Sequence, residues 1–391
     1  MHRVRFAAVM VALLLAGRGT GLLAADEPAP PFTVADGLFD FSQPDTLGLA
    51  PPSGMETVTV FHVRPGETQY SNGAVPVAFG RHLYVQWQSS ARDEDAPDTR
   101  VLYSRSSNGV DWSDPQELAA STDGMRRSPG GWWTDGRRLV AFVNEWPGPT
   151  DAGGHAVWRE SADGEHWSPV QPVRDQNGAP IDGLIEQDPH ALPDGRIVAA
   201  FHLRPGIVVA PFYTDDPTAR SGWIRARFEN LPHDGSQSRE LEPSIFLRGD
   251  GGAVMVFRDQ EPTYRQLASV SRDHGVSWTQ AVLTAMPDSR AKQSAGNLPD
   301  GSAYLVNAPS GNRERFPLVL TVSRDRTHFD RAWLLRAGGA GLPPLRFPGR
   351  FKRPGYHYPK STVWHDRLVV AYATNKEDIE LTSVPLAALA R

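Results

Sequence analysis

A short segment that ends in an aromatic residue recurs about every 55 residues along this 391-residue chain. Four copies occupy residues 106–112, 161–167, 271–278 and 323–329, and a weaker copy occupies residues 214–223. In each copy a Ser or Thr and an Asp or Asn can accept hydrogen bonds from the amides of a tight turn, while the aromatic ring packs against neighbouring strands. We therefore interpret these segments as structural turns of a repeated β-unit.

A second repeat, independent of the first, consists of turn residues followed by apolar, strand-like runs. Six such hairpins occur, and their second turn residues, 50 to 66 positions apart, are Gly80, Gly136, Gly195, Gly251, Gly301 and Arg367. A period of this size with several strands per unit is typical of a β-propeller, so we predict an all-β fold with six blades. The early strand at residues 57–63 is expected to complete the sixth blade, because an open ring would leave a sheet edge unprotected.

The N-terminal 52 residues are expected to lie outside the propeller. Residues 1–25 combine Arg3 and Arg5 with a 12-residue apolar run, which is too short for a permanent membrane span and is typical of a cleaved secretory signal peptide. Residues 26–52 are interpreted as a Pro-rich leader and residues 53–391 as the propeller. The sequence therefore predicts a secreted or periplasmic protein without a membrane span.

Composition excludes several classes of function. The chain contains no Cys, which excludes a disulfide framework, a thiolate zinc site, an iron–sulfur cluster and a cysteine nucleophile. Removal of residues 1–25 would leave 37 basic against 45 acidic residues, a net charge of −8 that disfavours non-specific binding to nucleic acid. No glycine motif for nucleotides stands between a strand and a helix, and no cofactor is expected.

The inner strands of a propeller begin near its axis, where functional sites usually lie. Nine residues before the second turn residue of each hairpin stand Ser71, Arg127, Glu186, Glu242, Lys292 and Tyr358. Five of the six are ionisable, whereas a purely structural ring would favour small or apolar residues. Arg258 lies on the returning strand beside Glu242, and His190 follows Glu186 together with Asp188. The alternative is a hydrated channel mouth with internal salt bridges, with His190 as a hydrogen-bonded loop residue.

No metal is predicted, because Asp188 and His190 lack a further histidine cluster. The segment 346–360 carries five cations and no acid in a protein of negative net charge: Arg346, Arg350, Lys352, Arg353 and Lys360. Such a local positive field favours an anionic ligand, and the interleaved aromatic residues suit the faces of sugars. The alternative is a solvated loop with cation–aromatic packing.

The repeated turns resemble the Asp-box repeats of the sialidase superfamily, and residues 271–278 fit the form S-x-D-x-G-x-x-W. The resemblance extends from about Asn72 to the C-terminus and implies a six-bladed propeller with Asp-box turns. Sialidases use a Tyr nucleophile, a Glu that takes its proton, and an Asp acid/base. The resemblance assigns these roles to Tyr358 in Tyr-Pro-Lys-Ser-Thr, to Glu242 before a Pro, and to Asp95 in the loop before the first Asp box.

Sialidases also grip the sugar carboxylate with three Arg residues. The resemblance places the second at Arg258 and the third at Arg313, with Arg315 as the alternative. The first normally stands in an Arg-Ile-Pro context, but here the stretch reads Tyr-Ser-Asn-Gly-Ala-Val-Pro, with Asn72 in its place. Arg127 or Lys292 could replace it, so these residues, with Asn72 and His190, complete the predicted substrate-binding set. A uronic acid is then as plausible a substrate as sialic acid.

The leading hypothesis is a secreted, sialidase-like exo-glycosidase that removes a terminal acidic sugar from glycans with retention of configuration. One alternative is a polysaccharide lyase on uronate-containing glycans, in which Tyr358 or His190 would abstract a proton. Another is a propeller that binds glycan or protein without catalysis, which the missing Arg supports. In each case the main expected partner is a glycan, and the sequence indicates no oligomeric state.

Overall fold

The turn dipeptides and the apolar runs after them form antiparallel hairpins, and these hairpins join into sheets of four or five strands. The structure, a computed structural model, describes residues 29–122, 124–148, 152–186 and 189–390. The predicted signal peptide therefore lies outside the described residues. Within them, six sheets stand as the blades of a β-propeller, which confirms the predicted fold class.

Two strands precede the first blade: β1 (Thr33–Val34) and β2 (Glu56–Phe61). Blade 1 contains β3 (Tyr70–Phe79), β4 (His82–Ser90), β5 (Arg100–Ser106) and β6 (Gln116–Ala119). Blade 2 contains β7 (Arg126–Thr134), β8 (Leu139–Trp146), β9 (His155–Ser161) and β10 (Gln171–Pro172). Blade 3 contains β11 (Gly183–Ile185), β12 (His190–Ala191), β13 (Ile197–Leu203), β14 (Val208–Thr214) and β15 (Ile224–Arg225).

Blade 4 contains β16 (Glu240–Leu247), β17 (Ala253–Asp259), β18 (Arg265–Ser271) and β19 (Val282–Pro287). Blade 5 contains β20 (Ser294–Asn297), β21 (Ala303–Asn307), β22 (Leu318–Ser323) and β24 (Arg331–Arg336), while the short β23 (His328–Phe329) pairs with β1. Blade 6 contains β25 (Tyr356–Trp364), β26 (Arg367–Thr374) and β27 (Asp378–Pro385). A 3₁₀ turn at Gly339–Gly341 and a four-residue helix α1 (Leu386–Leu389) complete the described elements.

The N-terminal strand β2 closes the ring. It pairs antiparallel with β27, so that Thr57 stands opposite Thr382 and their hydroxyl oxygens lie 2.8 Å apart. The outer edge of blade 6 is therefore covered by a strand from the other end of the described chain. This confirms the predicted closure and protects an edge that would otherwise offer unpaired backbone groups.

The repeated Ser–Asp segments form hydrogen-bonded turns, as expected. The Ser271 hydroxyl accepts the N–H of Gly275 at 2.8 Å, and Asp273 accepts the N–H of Ser277 at 2.8 Å. In the copy at residues 161–167, which belongs to blade 2, a Cβ on Gly164 would lie 2.1 Å from the Tyr84 hydroxyl oxygen of blade 1. That turn therefore needs glycine, both for its positive φ of 76° and for the close approach of the two blades.

The apolar core lies between neighbouring blades and not on the axis. Phe142 of blade 2 packs in one cluster with Phe201 and Phe212 of blade 3, and Phe246 of blade 4 packs in another with Leu305 of blade 5. Because each sheet buries its faces against the next sheet, the starts of the inner strands remain available for polar side chains. These strand starts line the site described next.

Candidate active site

A cavity of about 730 Å³ lies at the axis, where the inner strands of the blades begin. We call it the main cavity. The ionisable side chains that line it are Glu94, Asp95, Arg126, Glu186, His202, Arg204, Glu242, Arg258, Lys292, Arg350 and Tyr358. Of the six ring positions predicted from hairpin spacing, Glu186, Glu242, Lys292 and Tyr358 line this cavity. Counting nine residues back from each hairpin therefore identified cavity-lining residues in four of the six blades.

Local backbone irregularities direct the key side chains into the cavity. The pairing of β16 shifts register between Leu241 and Ser244, and that of β25 shifts between His357 and Lys360. The extra residue in a β-bulge re-aims a side chain. Glu242 and Tyr358 sit in these bulges with φ of 53° and 54°, and Asp95 in its loop has φ of 56°. Positive φ is uncommon for residues other than Gly and clusters at functional sites.

Glu242 and Arg258 form an ion pair on the cavity wall, with Nη1 of Arg258 3.0 Å from Oε2 of Glu242. Burial alone would raise the pKa of Glu242, but the positive charges of Arg258 and Lys292 lower it to about 2. Glu242 is therefore ionised at neutral pH. An ionised carboxylate in this position can accept a proton from a neighbouring hydroxyl group.

Tyr358 is surrounded by cations. Its ring centroid lies 5.2 Å from the Lys292 ammonium, 5.3 Å from Cζ of Arg315 and 5.7 Å from the Lys376 ammonium. Burial and the negative charge of Glu242 raise the pKa of Tyr358 well above its ordinary value, and Arg258 and Arg315 oppose the rise. The phenol is therefore protonated in the free protein, while the surrounding cations are placed to stabilise a phenolate or a developing negative charge.

Asp95 stands at the mouth of the main cavity. Partial desolvation of the exposed Asp95 side chain and the negative charge of Glu94 raise the pKa of its carboxyl group. Arg126 donates a hydrogen bond from Nε to the backbone carbonyl of Asp95, which ties blade 2 to this loop. A carboxyl group with a raised pKa can act as a proton donor, the role that the sequence analysis assigned to Asp95.

Glu186, Lys292 and His202 form a buried network in the lining of the main cavity. Glu186 lies 3.0 Å from the Lys292 ammonium and 3.2 Å from Nδ1 of His202. Nε2 of His202 accepts the backbone N–H of Glu242 at 3.3 Å, so the ring proton belongs on Nδ1, facing Glu186. Burial lowers the pKa of His202, against the charges of Glu186 and Glu242. The network thus links the predicted ring to the backbone of the predicted proton acceptor.

His202 is not among the residues predicted from the sequence, although a signal for it exists. Arg258 stands seven residues after Gly251 in the fourth hairpin, and His202 stands seven residues after Gly195 in the third. Both positions are where the returning strand reaches the cavity. Applying the same count to every blade would have identified His202.

A smaller cavity of about 330 Å³ adjoins the main cavity and shares Glu94, Arg258, Phe351 and Tyr358 with it. We call it the cationic lobe, because its other lining residues are Arg313, Arg315, Lys352, Arg353 and Lys376. Arg313, the predicted third Arg, is exposed at the rim, whereas the alternative Arg315 is 3% exposed and stands over the Tyr358 ring. Both predicted candidates therefore reach this lobe, and Arg315 makes the closer approach to Tyr358.

The cationic segment 346–360 divides into two groups. Arg346 pairs with Asp378 at 2.6 Å and Lys352 pairs with Glu377 at 2.9 Å, so these two cations anchor the segment to blade 6. Lys360 is 1% exposed within β25. Arg350 and Arg353 line the main cavity and the cationic lobe respectively. Only part of the segment therefore presents positive charge to a ligand.

Arg127 does not line the cavity, contrary to prediction. It is 8% exposed, pairs with Glu145 at 2.9 Å and donates to the Thr122 hydroxyl at 3.0 Å. Its neighbours Arg126 and Ser128 line the cavity instead. Successive side chains of a strand point to opposite faces, and the bulge of β7 lies between Pro129 and Gly131, nearer the hairpin than in β16. The nine-residue count therefore ends one residue away from the cavity-lining position in this blade, and it gave Arg127 where Arg126 lines the cavity.

Asn72 and His190 are also absent from the cavity lining. Asn72 is 1% exposed and donates a 3.3 Å hydrogen bond from Nδ2 to Glu94, which lines both cavities and pairs with Lys376. Asn72 therefore stands behind the lining, beside Glu94 and beside its own strand partner Gln88, both of which line the main cavity. His190 stands opposite Val198 at the start of β13, whereas the cavity lies at the other end of that strand, near His202. Asp188 lies outside the described residues.

Two further observations concern the described ranges of the chain. They contain no group of three His, Asp or Glu side chains that could hold a metal ion. None of their helices has the length and apolar character needed to cross a membrane.

The BNR repeat-like domain matches residues 81–370 of the chain. A solved structure named "Sialidase" is 16% identical with a TM-score of 0.65, over 91% of this chain and 35% of that one. The Hadza microbial sialidase Hz136 is 14% identical with a TM-score of 0.66, over 84% and 68%. An intramolecular trans-sialidase from Ruminococcus gnavus, in complex with oseltamivir carboxylate, is 12% identical with a TM-score of 0.62, over 88% and 99%.

The chain thus spans about a third of the length of the first of these structures. At such identities the likeness establishes a shared fold. No curated protein matches the chain.

Proposed function

This chain belongs to the family of BNR repeat-like domains, within the sialidase superfamily, and from that premise we propose that it is a glycoside hydrolase that removes a terminal acidic sugar from glycans. The observation that carries the proposal is the convergence of Tyr358, ionised Glu242 and Arg258 on one axial cavity. The sugar is of the sialic or uronic acid type. Its negative charge matches the cationic lobe next to Tyr358.

In the first chemical step, the Tyr358 oxygen forms a bond to the anomeric carbon while the glycosidic C–O bond breaks. Glu242 accepts the phenol proton, and Asp95 donates a proton to the departing oxygen. In the second step, water attacks the anomeric carbon, Asp95 takes the water proton, and the Tyr358 oxygen leaves and recovers its proton from Glu242. Two displacements at one carbon retain its configuration.

Binding of an anionic substrate has a direct effect on this chemistry. Arg258 lines both cavities and holds Glu242 at 3.0 Å, so a substrate carboxylate that binds Arg258 competes with Glu242 for the guanidinium. This competition weakens the interaction that keeps the pKa of Glu242 near 2. The substrate thereby makes Glu242 a stronger base at the moment when Tyr358 must lose its proton.

The test is product release by the purified protein from sialosides, terminal uronosides and neutral glycosides, with the Tyr358→Phe variant alongside. We expect release from acidic substrates only, and its loss in Tyr358→Phe without loss of the fold. Tyr213→Phe is the matched control, because Tyr213 lies on β14 under Arg196, outside both cavities. Full activity of Tyr358→Phe would exclude the proposal.

The same samples separate the alternative functions. A polysaccharide lyase would yield unsaturated, ultraviolet-absorbing products from uronate polymers and no free terminal sugar. A binding propeller would show saturable glycan binding without any product after prolonged incubation. Either result would replace the hydrolase proposal.

We also propose that the protein is exported after cleavage of residues 1–25, on the basis of Arg3, Arg5 and the apolar run that follows them. N-terminal sequencing of the protein produced in a secreting host would then start at or near Asp26. Recovery of the uncleaved chain inside the cell would contradict export.

A further inference from the structure

We propose that Arg353 supplies the guanidinium that is missing at Asn72, so that Arg258, Arg315 and Arg353 together hold the acidic group of the substrate. This inference rests on the proposed function and names a specificity-determining residue for it. Asn72 is buried and donates to Glu94, so β3 brings no cation to the cavity at this position. The positive charge next to Tyr358 comes instead from blades 4, 5 and 6.

Three of the six cations that line the cationic lobe already have acidic partners. Arg258 pairs with Glu242, Lys352 with Glu377, and Lys376 with Glu94. The other three are Arg313, Arg315 and Arg353. No carboxylate oxygen among the described residues lies within 4.0 Å of their side-chain nitrogens. The lobe therefore holds an excess of positive charge that the protein itself does not neutralise.

His357 fixes Arg315 and the backbone of Arg353 relative to each other. Nη1 of Arg315 lies 2.8 Å from Nδ1 of His357, and Nε2 of His357 lies 3.0 Å from the Arg353 carbonyl oxygen. Because a guanidinium can only donate, Nδ1 accepts and Nε2 carries the proton toward the carbonyl. His357 is fully buried. Burial and the charge of Arg315 keep its pKa well below the ordinary value, so the ring is neutral, as this arrangement requires.

The stretch just before Arg353 is held by two anchors, at Arg350 and Lys352. The Lys352 ammonium donates to the Gln69 carbonyl at 2.8 Å and pairs with Glu377, and the Arg350 N–H donates to Asp93 at 2.7 Å. The segment from blade 6 is thereby tied to the start of blade 1, next to the strand that carries Asn72. Arg353 directly follows this anchored stretch and lines the lobe together with Glu94, the hydrogen-bond partner of Asn72.

The positive charge of Arg353 is also repelled by neighbouring positive charges, and a bound anion would reduce this repulsion. Burial and the positive charges of Arg315 and Arg258 lower the pKa of Arg353 to about 10, and Tyr358 opposes this shift. Arg313 is exposed at the rim, where water screens its charge. A carboxylate can accept paired hydrogen bonds from a guanidinium, which makes Arg353 a better anion ligand than a lysine at the same place.

Binding measurements in the Tyr358→Phe background test the proposal without turnover. The probes are free sialic acid, glucuronic acid and the methyl ester of each, with affinity measured by calorimetry. We expect Arg353→Gln to weaken binding of the acid that binds the parent by about 10- to 100-fold, with little change for its ester, and Arg353→Lys to recover part of the loss. Arg272→Gln is the control, because Arg272 is 65% exposed and pairs with Asp250 on an outer turn.

Each outcome decides the proposal. An unchanged affinity of Arg353→Gln for the acid, or an equal loss for acid and ester, would overturn the role of Arg353 while the Tyr358→Phe activity test still supports the hydrolase. If neither acid binds the parent and the wild type releases no sugar, both proposals fail together. An unchanged thermal midpoint of Arg353→Gln shows that any loss does not come from unfolding.

Discussion

The ammonium of Lys292 lies 3.0 Å from Oε2 of Glu186, and both side chains are less than a tenth exposed. The same ammonium lies 5.2 Å from the centroid of the Tyr358 ring. Lys292 is therefore an internal counter-ion that also faces Tyr358, the proposed nucleophile. This position differs from the free substrate-binding cation suggested by its place in the ring.

Removal of Lys292 should destabilise the protein. The Lys292→Met variant removes the 3.0 Å ion-pair partner of the buried Glu186 carboxylate, and we expect a loss of about 3–5 kcal/mol in the free energy of unfolding. Urea denaturation measures this loss. The double variant Lys292→Met/Glu186→Gln should recover much of it, because no uncompensated charge remains. A single variant as stable as the wild type would contradict the pairing.

The pH dependence of kcat/KM should show an acidic maximum. Glu242 must be ionised, so activity falls as the pH drops through its pKa of about 2. Asp95 must be protonated, so activity falls as the pH rises through its pKa, which lies above the ordinary value of 3.8. Asp95→Asn should remove the alkaline limb on substrates with good leaving groups and lower kcat at least about 100-fold on poor ones. A retained alkaline limb would move the acid role to a neighbouring carboxyl group.

Substitution of Arg126 should lower activity, whereas substitution of Arg127 should lower stability. Arg126→Gln removes the hydrogen bond to the Asp95 carbonyl, so we expect about a tenfold lower kcat with nearly unchanged stability. Arg127→Gln deprives Glu145 of its 2.9 Å partner and should cost about 1–3 kcal/mol of stability with nearly unchanged kinetics. Steady-state kinetics and thermal unfolding of the two variants provide the comparison. The opposite pattern would reinstate Arg127 as a site residue.

Because β2 closes the ring at blade 6, we expect a substitution that leaves a cavity in the packed core of this blade to lower the free energy of unfolding. Ile379 stands opposite Phe61 of β2 and is fully buried. Ile379→Ala should cost about 2–5 kcal/mol in the free energy of unfolding. Val110→Ala, at a side chain that is 54% exposed, should change it by less than about 0.5 kcal/mol. Equal effects of the two substitutions would argue against a tightly packed closing blade.

The six blades and much of the ring could be predicted because their signals are local and repeat. The Ser271 and Asp273 hydrogen bonds reach only four residues along the chain, so each copy forms its turn independently of the others. The number of residues between the hairpin and the axis is nearly constant, so the count predicted the cavity-lining residues Glu186, Glu242, Lys292 and Tyr358. The count failed at Arg127, because a bulge in a different place exchanges the two faces of the strand.

By itself, the sequence determined the fold class, the closing strand and the residue types that meet at the axis, because turn chemistry and strand period are properties of neighbouring residues. Only the tertiary structure decided which charges neutralise one another. The contacts of Glu94 with Lys376 and of Lys352 with Gln69 join residues about 280 positions apart. Such pairings follow from the closure of the ring, which brings blades 1 and 6 side by side, and they leave Arg313, Arg315 and Arg353 without a carboxylate partner among the described residues.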